Sequence, residues 1–320
     1  MAEAAAAEPL RPPFPAMTPG QRLHLEVNGY AVIPGLLTCD ECDWISGDLR
    51  RLRNDLRAQK PGVGAEGPVI DSAYFAHDHP HHTYIGALGQ SKRYPGILHY
   101  LSHPLVVGLA EELLGGTGHI LEVNAHLNRR APSWPTAADG GAAFGFHRGM
   151  VPATTGDGNH LHDGLFHSSF VKVLTNLTDL GPDDGGTTVI AGSHKIDHDQ
   201  EAVIAAAYED RSLIHQIVAP KGSAVLFTEA LIHATGQILS DRERIIMIAG
   251  YGTTHFPWKY LESHRPDFEL DAAFLAAVPP SVRHLYESKG YISRTPRYRA
   301  LADSAETRAV PAPSWPYPRF

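Results

Sequence analysis

Cysteine is scarce in this chain, with two among 320 residues, Cys39 and Cys42. That excludes a disulfide framework as the source of stability. Their C-x-x-C spacing finds no second pair to complete a zinc site. Thr38-Cys39-Asp40-Glu41 instead has the form of a capping box that opens a helix, and this reading is preferred over a redox pair or half a zinc site. A reducing, cytoplasmic setting is the expectation. Long apolar runs are missing too: they reach about 6–8 residues, against the roughly 20 that span a bilayer. Residues 1–17 are rich in Ala, Pro and Glu and lack the basic start and apolar stretch of a signal peptide. Lys and Arg form no runs and the formal net charge is −8, so no nucleic-acid partner is expected.

What is present is 43% hydrophobic composition, enough for a substantial core, and 20 histidines. Histidine in such number carries no meaning by itself, so spacing and neighbours must select among them. Residues 1–17 read as disordered. Thr18-Pro19-Gly20-Gln21 supplies a cap, a proline at the first helical position and a glutamine at the third, which predicts a helix start. A strand follows at 29–33. From Thr38 to Leu56, Cys42, Ile45, Leu49, Leu52 and Leu56 recur at helical spacing. Residues 60–92 read as irregular, and two helices are predicted at 94–101 and 104–114.

Beyond Gly115-Gly116 short strands dominate, at 118–128, 143–148, 168–178, 186–190, 213–218, 223–228, 231–235 and 244–251, separated by Gly-, Pro- and Asp-rich turns. That texture predicts a sandwich or barrel. The region after 265 reads as helical again. The expectation is an all-β core with helices (α+β): one jelly-roll domain over 18–287, a double-stranded β-helix with a helical N-terminal support layer, and an extended tail over 288–320.

The chemistry concentrates between 144 and 251. Phe146-His147-Arg148-Gly149 ends a strand. Leu177-Thr178-Asp179, Asp184-Gly185-Gly186 and Gly192-Ser193-His194-Lys195 follow, then Lys221-Gly222, Phe227, His233 and Arg244, eleven residues past His233. In order and spacing this series resembles the phytanoyl-CoA dioxygenase family, and the opening Gly29-Tyr30-Ala31-Val32-Ile33-Pro34-Gly35 resembles that family's first strand. The match is good over 120–252. The resemblance implies a mononuclear iron(II) enzyme that uses 2-oxoglutarate and O₂ to oxidise a C–H bond of a small molecule. It assigns His147 and His233 as metal ligands and Arg244 as the grip on a 2-oxoglutarate carboxylate, a role that suits a planar fork of donors. Thr235 would add a hydroxyl to that carboxylate, and Asn124 and Asn128, four apart on a strand and so on one face, would stand near the co-substrate. His194 reads as a turn residue.

One position departs from the family. Where it carries a carboxylate ligand, this chain has Gly149, giving H-x-G in place of H-x-D. The vacated position could take chloride, as in related halogenases, which would make the enzyme a radical halogenase. It could take water, or a carboxylate from elsewhere. The loop 150–167, with Asp157, Asp163, His160, His162 and His167, is one source, and Glu229, four residues before His233, is another. His162-Asp163 as an alternative motif lacks the intervening residue, so His147 is preferred.

Alternation along Phe170–Leu174 puts Lys172 on one strand face. Inside a barrel it would be a buried cation in need of an anion such as the co-substrate; outside, a solvated lysine. The reading from another functional class is a catalytically silent jelly-roll binding protein, which would have no reason to keep His233 and Arg244 at their spacing. Asn176-Leu177-Thr178 is formally a glycosylation sequon and is discounted as part of a strand. Residues 60–92 and 150–167 would shape the mouth of the barrel. Substrate identity and oligomeric state are not legible.

Overall fold

The two predicted capping boxes form, and each fixes a helix against the sheet. Helix α1 (Pro19–Asn28) is capped by Thr18, which accepts from the Gln21 amide while the Gln21 side chain returns to the Thr18 amide. At α2 (Cys39–Gln59) the Thr38 amide donates to Glu41 at 2.8 Å and the Glu41 amide donates to the Thr38 hydroxyl at 3.2 Å. The predicted stripe of α2, from Cys42 to Leu56, is fully buried. Cys39 is exposed and Cys42 buried, both as free thiols. Helices α3 (Pro95–Leu101) and α4 (Pro104–Leu114) each begin at a proline, whose missing N–H leaves no helical bond unmade there.

In this computed structural model the described residues are 16–59, 69–70, 73–86, 93–131, 145–150, 159–162, 165–197, 199–253 and 276–286. Their main sheet has eight antiparallel strands in the order β1 (Tyr30–Ile33), β11 (Ala224–Thr228), β8 (Phe170–Asn176), β13 (Arg244–Gly252), β5 (His119–Asn128), β4 (His82–Gly86), β3 (Ala73–His79) and β2 (Val69–Ile70). A second sheet runs β10 (Ile214–Gln216), β9 (Thr188–Ile190), β12 (His233–Ala234), and β6 (Asn159–His162) pairs with β7 (Leu165–Ser168). This is the expected jelly-roll core of an α+β fold.

The strands' period of two divides the main sheet into two faces. One face carries Val123, Ala125, Val173, Leu226, Ile245 and Met247 into a core shared with α2, α3 and α4. The Tyr100 hydroxyl of α3 ties that layer to β8 through the Val173 carbonyl at 3.1 Å and the Thr175 hydroxyl at 3.0 Å. The other face turns toward the second sheet, where Leu174, Val225, Phe227, Ile246 and Ile248 pack with Val189 and Leu231.

Several expectations need correction. Residues 73–86 of the stretch read as irregular form a hairpin that extends the main sheet. The pattern missed it because His and Asp fill the positions where strands usually show apolar residues. The strand expected at 143–148 is reduced, within its described part, to a single bridge at His147. A helix not predicted, α5 (Gln200–Glu209), buries little, and a weak apolar stripe leaves no periodicity to read. The region read as helical after 265 is helical in its described part, at residues 276–277 and in a 3₁₀ turn over Pro280–Leu285. Residues 1–15, 287–320, Asp157 and Asp163 lie outside the described residues.

The family-like turns are staples. The Ile245 amide donates to the Thr178 hydroxyl at 3.1 Å, and the Lys221 amide donates to Asp179 at 2.9 Å. At Gly222, φ is +85° and a Cβ would stand 2.2 Å from the Leu37 carbonyl oxygen. Gly222→Ala therefore combines left-handed strain with a backbone clash. It is expected to destabilise the fold by about 2–4 kcal/mol, read as a lowered midpoint in urea denaturation; a loss under 1 kcal/mol would show that the turn relaxes freely.

Candidate active site

His147 and His233 face each other across an antiparallel bridge, each amide donating to the other's carbonyl at 3.0 and 2.9 Å. Their ring centroids are 4.4 Å apart. His147 is exposed and His233 buried. In each ring Nδ1 lies on a carbonyl oxygen, that of Gly145 at 3.0 Å and that of Leu231 at 2.8 Å. A carbonyl only accepts, so each Nδ1 donates, and in the neutral ring that leaves the lone pair on Nε2, the arrangement in which imidazole binds a metal. Burial pulls the His233 ring down to about 4, so it stays neutral at physiological pH. Phe146 packs with Tyr208 of α5 at 6.1 Å, so the unpredicted helix braces the His147 segment.

Arg244 opens β13 on the face that looks between the sheets, directly across from Asn128. It is 1% exposed, and all three of its guanidinium nitrogens are without a hydrogen-bond partner among the described residues. Burial pulls it down to about 10, which still leaves it charged at neutral pH. An unpaired buried cation costs several kcal/mol, so this position is built for an anion. The side-chain carbonyl oxygens of Asn124 and Asn128 are also buried and unpartnered, on the same face as Arg244 by register. Thr235 departs from expectation: β12 ends at Ala234, and Thr235 is exposed.

Lys172 does lie inside, but its anions are internal. Nζ stands 2.8 Å from Glu122 and 2.9 Å from Glu229. Burial works against its charge, and the two carboxylates outweigh burial and raise its pKa. Lys172 is thus already paired, unlike Arg244. His194 sits in a buried 3₁₀ turn, as expected of a turn residue. Asn176 is fully buried, which rules out glycosylation of the folded chain. His167 is buried with Nδ1 3.3 Å from the Leu113 carbonyl of α4; the side chains of His160 and His162 lie outside the described set.

Three inward groups escaped sequence reasoning. Glu122 and His126 share the period-two face of β5 with Asn124 and Asn128, so extending that alternation would have found both. His82 of β4 lies across from Asn128 and places Nε2 3.2 Å from His126 Nδ1; it fell in the stretch read as irregular.

The family model described as phytanoyl-CoA dioxygenase matches residues 25–246. The chain belongs to the phytanoyl-CoA dioxygenase family. L-proline trans-4-hydroxylase of Streptomyces griseoviridis is 23% identical over 202 residues, 55% of this chain and 69% of that protein. Among solved structures, HygX of Streptomyces hygroscopicus with nickel and 2-oxoglutarate bound has a TM-score of 0.57 at 20% identity, covering 76% of this chain and 89% of that one. The α-ketoglutarate-dependent epimerase SnoN of nogalamycin biosynthesis has a TM-score of 0.53 at 15% identity, covering 79% and 88%. At these identities the structural likenesses support the fold. Among the described residues no helix is long and apolar enough to cross a membrane.

Within this phytanoyl-CoA dioxygenase fold the Lys172 cluster is a stability element. Lys172→Met would leave Glu122 and Glu229 buried without their cation, a change expected to cost about 3–5 kcal/mol. The deficit should shrink as pH is lowered, since burial raises the folded pKa of an unpaired carboxylate and the folded state then takes up the proton first. Thermal unfolding of wild type and variant across acidic and neutral pH measures both, and a deficit independent of pH would assign the loss to packing.

Proposed function

We propose that this protein is an iron(II)- and 2-oxoglutarate-dependent enzyme that oxidises a C–H bond of a small molecule. The observation that carries the reading is Arg244, a buried guanidinium with no partner among the described residues, on the face of the main sheet that packs against the second sheet, together with two imidazoles whose Nδ1 atoms lie on carbonyl oxygens. A silent binding protein would need one of these features; a metal enzyme with an anionic co-substrate needs both. Two-imidazole sites of this kind suit iron(II), with positions left open for co-substrate and O₂. HygX, whose fold this chain shares, has structures with iron, with nickel and 2-oxoglutarate, and with hygromycin B in addition, which is consistent with a small organic substrate here.

In this reading His147 and His233 hold the iron through Nε2, and their Nδ1–H bonds to the Gly145 and Leu231 carbonyls orient the rings. Arg244 binds the far carboxylate of 2-oxoglutarate with a charge-assisted pair. Asn124 and Asn128 offer amide groups beside it. Phe227, whose ring lies 4.9 Å from His233, joins Leu174, Ile246 and Ile248 in an apolar wall that excludes water. Bound iron supplies the activation of O₂, coupled to oxidative decarboxylation of 2-oxoglutarate. The protein's part is to place the substrate's C–H bond and keep the site dry.

Replacing either His147 or His233 with alanine is expected to abolish stoichiometric iron(II) binding, measured anaerobically by titration calorimetry. Full retention in both variants would put the metal elsewhere. Arg244→Ala is expected to weaken 2-oxoglutarate binding by about 2–4 kcal/mol, with Arg244→Lys recovering only part of the loss because a point charge cannot form the fork. An unchanged Kd in Arg244→Ala would overturn the assignment of the co-substrate carboxylate.

A further inference from the structure

The missing family carboxylate has a physical replacement. A Cβ added at Gly149 would lie 2.1 Å from Oε2 of Glu229, far inside van der Waals contact. Glu229 therefore occupies the space that a side chain at 149 would need. The cause is in the backbone: the amides of Gly149 and Met150 both donate to the Glu229 carbonyl, at 3.0 and 3.2 Å. These bonds hold the turn after β11 against the His147 segment. The Leu231 amide donates to the Thr228 carbonyl at 2.9 Å and closes that turn. It brings Glu229 Oε1 to 3.8 Å from His233 Nε2. Two donors on adjacent positions of one metal stand about 3 Å apart, so binding would require a closure of under about 1 Å.

Charge gives an independent argument. Glu122 and Glu229 bring two negative charges and Lys172 one positive, all largely buried. The cluster therefore holds one more carboxylate than ammonium, and it lies beside two imidazoles. A divalent cation is the partner that this combination fits. Among the described residues no three His, Cys, Asp or Glu side chains are placed to hold a metal ion as they stand, and Glu229 Oε1 lies 2.9 Å from Lys172 Nζ.

We infer that Glu229 is the third protein ligand to the iron, a carboxylate transplanted from the strand of His147 to the turn before His233, with Gly149 as the clearance it requires. This rests on the proposed iron site. Its consequence concerns reaction outcome: with a carboxylate already in that position, chloride finds no vacancy there, and oxygen insertion is favoured over halogenation.

The test uses the full chain and cobalt(II), whose visible absorption reports ligand number and type. Glu229→Gln keeps the shape and removes the charge. It is expected to weaken cobalt binding at least tenfold and to alter the spectrum. The double variant Gly149→Asp/Glu229→Ala, which returns the carboxylate to the strand, is expected to bind within a few-fold of wild type. Chloride should leave the wild-type spectrum unchanged. If Glu229→Gln and wild type bind cobalt alike while His147→Ala does not bind, the iron reading stands and the Glu229 inference falls. If His147→Ala and His233→Ala also bind as wild type does, both fall. Should Glu229→Gln prove unfolded by circular dichroism, the double variant decides: folded but unable to bind cobalt, it overturns the inference.

Discussion

The space between the two sheets excludes water, so every charge placed there must be answered there. That constraint organises the molecule. Lys172 is answered by Glu122 and Glu229 from neighbouring elements. Arg244 is answered by nothing among the described residues, although it is nearly inaccessible. The difference between the two cations is that one is paired within the protein and the other is not, among the described residues, and residue type alone could not have drawn it. Both are basic residues on adjacent strands, pointing the same way.

The second organising feature is the backbone bridge between His147 and His233. The rings are held side by side because their own amides and carbonyls pair, and each ring's Nδ1 is then fixed by a nearby carbonyl. Imidazoles set by main-chain bonds tolerate change in surrounding side chains. This gives a physical account of how a family motif can lose its carboxylate at position 149 while the rest of the site stays in place. The same main-chain bonds, extended by two residues, bring the turn carrying Glu229 against Gly149.

Much of this was legible beforehand. The capping boxes at Thr18 and Thr38, the stripe of α2 and the order of turn staples from Leu177 to Gly222 follow from local rules, because each depends on residues close in sequence. The candidate residues His147, His233 and Arg244 were singled out through the family resemblance. The hairpin at 73–86 was not: its pairing depends on β5, far along the chain, and its histidines carry no strand pattern. Helix α5 was missed for the opposite reason, since it packs weakly and shows almost no apolar stripe.

By itself the sequence determined the fold class and the family and singled out the candidate site residues, because caps, turns and motif spacing are local or ordered along the chain. It also posed the question of Gly149 and named Glu229 among several answers. Only the tertiary structure decided between buried and solvated for Lys172, between free and paired for Arg244, and between vacancy and occupancy beside Gly149. Those are questions of which side chains from distant segments share one dry space, and distance in space is not written in sequence order.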